Sequence, residues 1–235
     1  MPVSFTPITP VTITEFDFEG LLEAQSNYLG EFSFFQEWKK YWLDIFKDQE
    51  EQLQDYIKKF PNSNPILQRI KYDPSLLSSN YEMFTFEHVT EFGVFHMHFD
   101  IEKMKHFQAT NKLSKEVLNI SDIYIDPDTP VLKEKLQDTR LPYFVRIFGM
   151  ELPFLCVDGN KRIQARIKNR QQSFDGYVFS IEHCEMMFFG PIDMYYYILL
   201  YELNALVLLI NQGYDEKSIY QSTQMYLLSN RTLTY

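Results

Sequence analysis

The sequence predicts an α+β fold, and three patterns carry that expectation. Phe34, Phe35, Trp38, Tyr41, Trp42, Ile45 and Phe46 recur at spacings of three and four, which draws one apolar stripe along a helix. Residues 82–89 and 94–101 are strand-like runs on either side of Thr90-Glu-Phe-Gly93, the pattern of a β-hairpin. Between about 120 and 182, short strand-like runs alternate with Pro- and Gly-marked turns and one basic helical stretch.

Taken in order, residues 1–14 hold Pro2, Pro7 and Pro10 and read as an extended arm or edge strand. A helical pattern runs from about 16 to 59 and stops at Pro61-Asn-Ser-Asn-Pro65. A short helix at 66–70 and a turn at Asp73-Pro-Ser lead into the hairpin, 82–101, and residues 102–119 read as a polar helix. A strand at 121–125, a turn at Asp126-Pro-Asp-Thr-Pro130 and a short helix at 131–138 come next. Strands at 142–148 and 153–157 flank a turn at Gly149. A basic helix spans 160–170, a strand 173–181, an apolar helix 191–211 and a last helix 216–229. The division is a mainly helical region with a hairpin, 1–119, and a second unit, 120–235, without a flexible linker between them.

Composition narrows the function classes. Aromatic residues make up 17% of the 235 positions, with 21 Phe and 16 Tyr, enough for a large core and for an aromatic partner surface. A net charge of -10 disfavours broad binding to a nucleic-acid backbone. Two cysteines, Cys156 and Cys184, make neither a disulfide framework nor a four-cysteine metal site, and suit a reducing, cytoplasmic setting. The start of the chain lacks the pattern of a signal peptide. The apolar run 195–210 is short for a membrane span and carries Glu202 and Asn204, so it reads as a buried helix.

The stretch that carries chemistry is Pro153-Phe-Leu-Cys-Val-Asp158-Gly-Asn-Lys-Arg162-Ile-Gln-Ala165. An apolar strand meets Asp-Gly and a helix starts at once. The glycine permits a sharp turn and a close ligand approach, and the first amides of the helix are free to hold an anion. Arg162 in the first turn suits bidentate contact with phosphate oxygens, and Lys161 adds charge. Asp158 at the strand end is placed to bind Mg2+ or to accept a proton from an attacking hydroxyl. The competing reading is a tight turn followed by a solvated basic helix.

On these residues, together with Asp122-Ile-Tyr-Ile-Asp-Pro127 and Leu141-Pro142, the segment 120–182 resembles the ParB/sulfiredoxin superfamily. That resemblance implies a mixed sheet with helices and a nucleotide whose phosphates are held by Gly159, Asn160, Lys161 and Arg162. The Asp-Gly version is similar to the free-serine kinases of that superfamily, which implies that Asp158 activates the substrate hydroxyl. Asp126 or Asp128, in a turn that faces the nucleotide in that fold, either shares a Mg2+ ion with Asp158 or serves the turn alone. Asn160 stands where sulfiredoxins place their cysteine, and an apolar helix replaces the helix-turn-helix of partitioning proteins, so neither of those activities is expected. The loop also resembles that of Fic nucleotidyl transferases, but Phe154 stands where their histidine belongs.

Other candidates have plainer readings. His96, His98 and Asp100, with His88 across the hairpin, fit either a Zn2+ site or the polar face of a hairpin. Trp38 and Trp42 fit a base-stacking platform or, at helical spacing, a core. The expected function is nucleotide or phosphate binding, with Mg2+-dependent phosphoryl transfer or nucleotide hydrolysis as its enzymatic form. The alternative is a non-enzymatic, nucleotide-gated interaction protein with a protein partner or a second copy of the chain. Nuclease or DNA-binding activity ranks below both.

Overall fold

The computed structural model describes residues 2–5, 16–62 and 81–231. A short strand, β1 (Val3–Phe5), precedes three helices, α1 (Phe18–Ala24), α2 (Ser26–Leu29) and α3 (Phe35–Lys59). Asp17 caps α1, its Oδ1 accepting the Gly20 N–H at 2.8 Å. The helical pattern predicted from 16 to 59 is therefore broken twice, near Gln25 and between Gly30 and Phe34. In α3 the aromatic stripe is buried as its spacing demands, through Phe35, Trp38, Trp42 and Phe46. The expected helix at 66–70, the turn at Asp73 and most of the N-terminal arm lie outside the described residues.

Strands β2 (Tyr81–Thr90) and β3 (Gly93–Asp100) form the hairpin, and β1 pairs with β2 to complete an antiparallel sheet in the order β1-β2-β3. Helix α4 (Ile101–Asn111) follows, capped by Asp100, whose carboxylate accepts the Lys103 N–H. The predicted helix at 102–119 ends early. Lys112 takes the left-handed conformation, φ +51°, and the chain turns into β4 (Lys115–Asn119). There Leu118 is buried and pairs across from Phe174, so ladder bonding takes over from helix bonding.

The second sheet thus begins five residues ahead of the expected boundary at 120. It continues with β5 (Ile123–Tyr124), β6 (Tyr143–Arg146), β7 (Phe154–Asp158) and, after α5 (Asn160–Lys168), β8 (Ser173–Phe179). The order is β4-β8-β6-β7-β5. Pairs β4–β8 and β6–β7 are antiparallel, and β6–β8 and β5–β7 are parallel, which makes the sheet mixed. The predicted strand at 121–125 shrinks because Ile120–Asp122 is a 3-10 turn, and the predicted helix at 131–138 is another, Lys133–Gln137. A 3-10 turn at Ile181–Met186 leads to α6 (Pro191–Asn211), α7 (Glu216–Gln221) and α8 (Gln224–Arg231). The single last helix expected from 216 is split at Thr223, whose hydroxyl donates to the Tyr220 carbonyl and accepts from the Tyr226 N–H.

Alternation in β7 builds two apolar layers. Leu155 and Val157 join a large cluster with Trp38 and Trp42 of α3, Met97 and Phe99 of β3 and Tyr196 and Tyr197 of α6. Cys156 points the other way, into a smaller cluster with Phe144, Ile163 and Phe174 that seats α5 on the sheet. By length and composition α6 is able to cross a membrane. Here Met194, Tyr196, Tyr197, Leu199, Leu200 and Leu206 are packed inside the protein.

Candidate phosphate cleft

Strand β7 is buried until Asp158, where its register against β6 slips. Phe144 faces Cys156 and Tyr143 faces Asp158, so β7 carries one residue more than β6 at this point. Such a bulge bends the strand end and redirects its side chains. Gly159 follows with φ +107°, and a Cβ there would stand 2.7 Å from the Pro142 Cβ. Positive φ and close approach together require glycine. Helix α5 then begins with no side chain capping its N-terminus, which leaves its first amides available.

Two of the predicted phosphate contacts are busy elsewhere. The Asn160 side chain is sealed inside, where Oδ1 accepts the Asp126 N–H at 3.1 Å and Nδ2 donates to the Cys156 carbonyl at 2.8 Å. It ties the turn at Asp126 to the strand end, so its backbone amide is what remains for a ligand. Arg162 is 4% exposed. Its Nη2 donates to Asp158 Oδ2 at 3.1 Å, and its Nη1 lies 3.9 Å from Asp138 Oδ2. The sequence leaves this guanidinium open to phosphate; folding gives it two carboxylates, because a buried cation needs paired acceptors. Among the described residues its Nε–H meets no acceptor.

Asp138 is the residue that sequence reasoning missed. It also accepts Arg140 Nε at 3.0 Å and Nη2 at 2.7 Å. Arg140's bonds hold its carboxyl well below the ordinary carboxylate range, with Arg162 adding to the effect. Arg166 Nη2 donates to the Asp138 carbonyl at 2.8 Å, which staples this segment to α5. The result is a cleft of about 140 Å³. It is lined by Lys135, Asp138 and Arg140, by the 158–162 stretch, and by Glu82 and Pro2. Glu82 is paired with Lys105. No spacing rule links residues 135–140 to Gly159; only the charge-dense Asp138-Thr-Arg140 before Leu141-Pro142 hinted at a role.

The predicted metal ligands are not gathered into a cage. Asp126 does not line the cleft, and its Oδ1 accepts the Asp128 N–H at 3.0 Å in an Asx turn. Among the described residues no three His, Cys, Asp or Glu side chains form a metal-holding group. The hairpin histidines divide between the two faces. His88 pairs across from Phe95 on the apolar face and bonds the Tyr196 hydroxyl at 2.8 Å. On the other face His96 lies 3.5 Å from Glu87, and His98 lies 3.4 Å from Asp193. Trp38 and Trp42 are core residues, and both indoles donate to Glu202 of α6, the latter at 3.3 Å. No family model matches the chain, and the curated proteins and solved structures contain no match to it either.

Proposed function

We propose that this protein binds a phosphorylated ligand, a nucleotide in the first instance, at the N-terminus of α5. The observation that carries the reading is the convergence on one cleft of an uncapped helix start, a positive-φ glycine and four cationic side chains, Lys135, Arg140, Lys161 and Arg162. In this reading residues 120–182 are a ParB/sulfiredoxin-like unit. Its mixed sheet, the β6–β7 hairpin and the strand–Gly159–helix junction support that kinship.

The enzymatic form of the reading is phosphoryl transfer to a hydroxyl or to water. Asp158 takes the proton from the attacking oxygen, that oxygen bonds to phosphorus, and the bridging oxygen leaves with its electron pair. Arg162 and Lys161 offset charge on the transferred group. Mg2+ would come with the nucleotide and neutralise its phosphate oxygens; among the described residues the carboxylates of the cleft are taken by Arg162, Arg140 and Lys105 and do not form a cage for it. Cys156 and Cys184 are not bridged to each other, in keeping with a cytoplasmic protein.

One observation favours the alternative of a non-enzymatic interaction protein: Arg162 is already neutralised by Asp158 and Asp138. Calorimetric titration with ATP, ADP and CTP in Mg2+ separates the two. Binding that Lys161→Ala weakens, together with turnover that Asp158→Asn abolishes, is the expected result. Nucleotide binding without turnover leaves the interaction protein standing, and no binding of any nucleotide removes the phosphate reading.

A further inference from the structure

Granting that the cleft holds phosphate, we infer that it reads a diphosphate end-group. One phosphoryl unit sits at the start of α5 and the next against Lys135 and Arg140, while the remainder of the ligand lies outside.

Size argues first. Pockets that enclose a whole small-molecule ligand begin near roughly 300 Å³, whereas this cleft holds about 140 Å³. It has room for the phosphate end of a nucleotide and not for its base and sugar.

Charge argues second. The three carboxylates of the cleft are each engaged: Asp158 by Arg162, Asp138 by Arg140 and Glu82 by Lys105. Among the described residues Lys135 and Lys161 make no ion pair, and they come to the cleft from different elements, the 3-10 turn at Lys133–Gln137 and α5. A helix start adds about half a positive charge beside Lys161. A lone phosphate at the start of α5 carries roughly −1.5 to −2 and would match Lys161 and the helix start, leaving Lys135 unmatched. A diphosphate spans both.

The third argument is the Arg162 Nε–H, a donor of the cleft wall sealed from solvent and without an acceptor. Native proteins seldom leave such a donor unmet. A ligand oxygen on the edge that Nε shares with Nη2, beside Asp158, would give the guanidinium the acceptor it lacks.

The test is titration of the full chain with orthophosphate, pyrophosphate, ADP and CDP, with and without Mg2+. Pyrophosphate should bind about fivefold or more tightly than orthophosphate, and ADP and CDP should match each other. Lys135→Ala, or Lys135→Gln if the alanine variant melts early, should erase the advantage of pyrophosphate, bringing its affinity to that of orthophosphate for the same variant. Lys161→Ala should weaken both. Equal affinity for the two inorganic anions overturns the inference while leaving the phosphate site in place, as does a strong preference for one base. Failure of all four to bind overturns the phosphate reading itself, and the inference with it.

Discussion

Glu202 of α6 and Arg162 of α5 are both nearly sealed from water, at 1% and 4% exposure, yet they are accommodated in opposite ways. Among the described residues Glu202 has no cationic partner. Trp38 and Trp42 donate to its Oε1, and the Gln224 N–H donates to its Oε2 at 2.8 Å. Those three neutral donors join α3, α6 and α8 in one closed arrangement. Arg162 has two carboxylates, one of them distant, an N–H without an acceptor and a cleft beside it. A buried charge that is fully bonded locks a core, while one that is incompletely bonded beside open space is where a ligand has something to contribute.

The largest effect should come from breaking the closed arrangement. Glu202→Leu strands two indole N–H groups and a backbone amide in the interior, and we expect a loss of roughly 3–5 kcal/mol in urea unfolding. Glu202→Gln keeps an acceptor and should cost clearly less. If the leucine variant lost under about 1 kcal/mol, the carboxylate would not be what joins these helices, and the contrast with Arg162 would collapse.

Next in size is Gly159→Ala. The residue sits at φ +107°, and the added methyl would press on Pro142 and on Arg162 Nη2 at 3.0 Å. Left-handed strain plus that contact should cost about 2–3 kcal/mol and should abolish anion binding in any variant that still folds. Retention of full anion affinity would show that the helix start is not the ligand's seat.

How legible these two regions were in the sequence differs for a physical reason. The aromatic stripe of α3 and the strand–Gly159–helix junction are local patterns, and both appear as predicted because their periodicity and turn chemistry act over a few residues. The partners of the buried charges are not local. Asp138 reaches Arg162 only through the 3-10 turn at Lys133–Gln137, and Glu202 reaches Trp38 across 164 residues. The strand at Lys115–Asn119 was hidden for the same reason. Its polar, mostly exposed side chains read as helix, and only pairing with β8 makes it a strand.

The smallest effect, and the one that sets the two regions most directly against each other, is their pH dependence. Burial pushes the Glu202 carboxyl up, against the opposing bonds from Trp38, Gln224 and Trp42. The folded state therefore holds this proton more tightly than the unfolded chain, whose glutamates titrate near about 4.3. The stability this group contributes is full below that value and declines as pH rises through the folded one. Asp138 works the other way. Arg140 holds its carboxyl down, so its contribution is present above about 3.9 and is lost as pH falls. Because Arg140 is largely exposed, that contribution should amount to a fraction of about 1 kcal/mol. Urea midpoints measured from about pH 3 to 8 should show Glu202→Gln flattening the decline toward neutral pH and Asp138→Asn flattening the acid limb. Salt near ~1 M should shrink only the Asp138 limb, since a pair at the surface is screened and a carboxylate bonded to buried indoles is not. A salt-sensitive Glu202 limb would mean that water reaches α6, and the closed arrangement would have to be redrawn as a second open one.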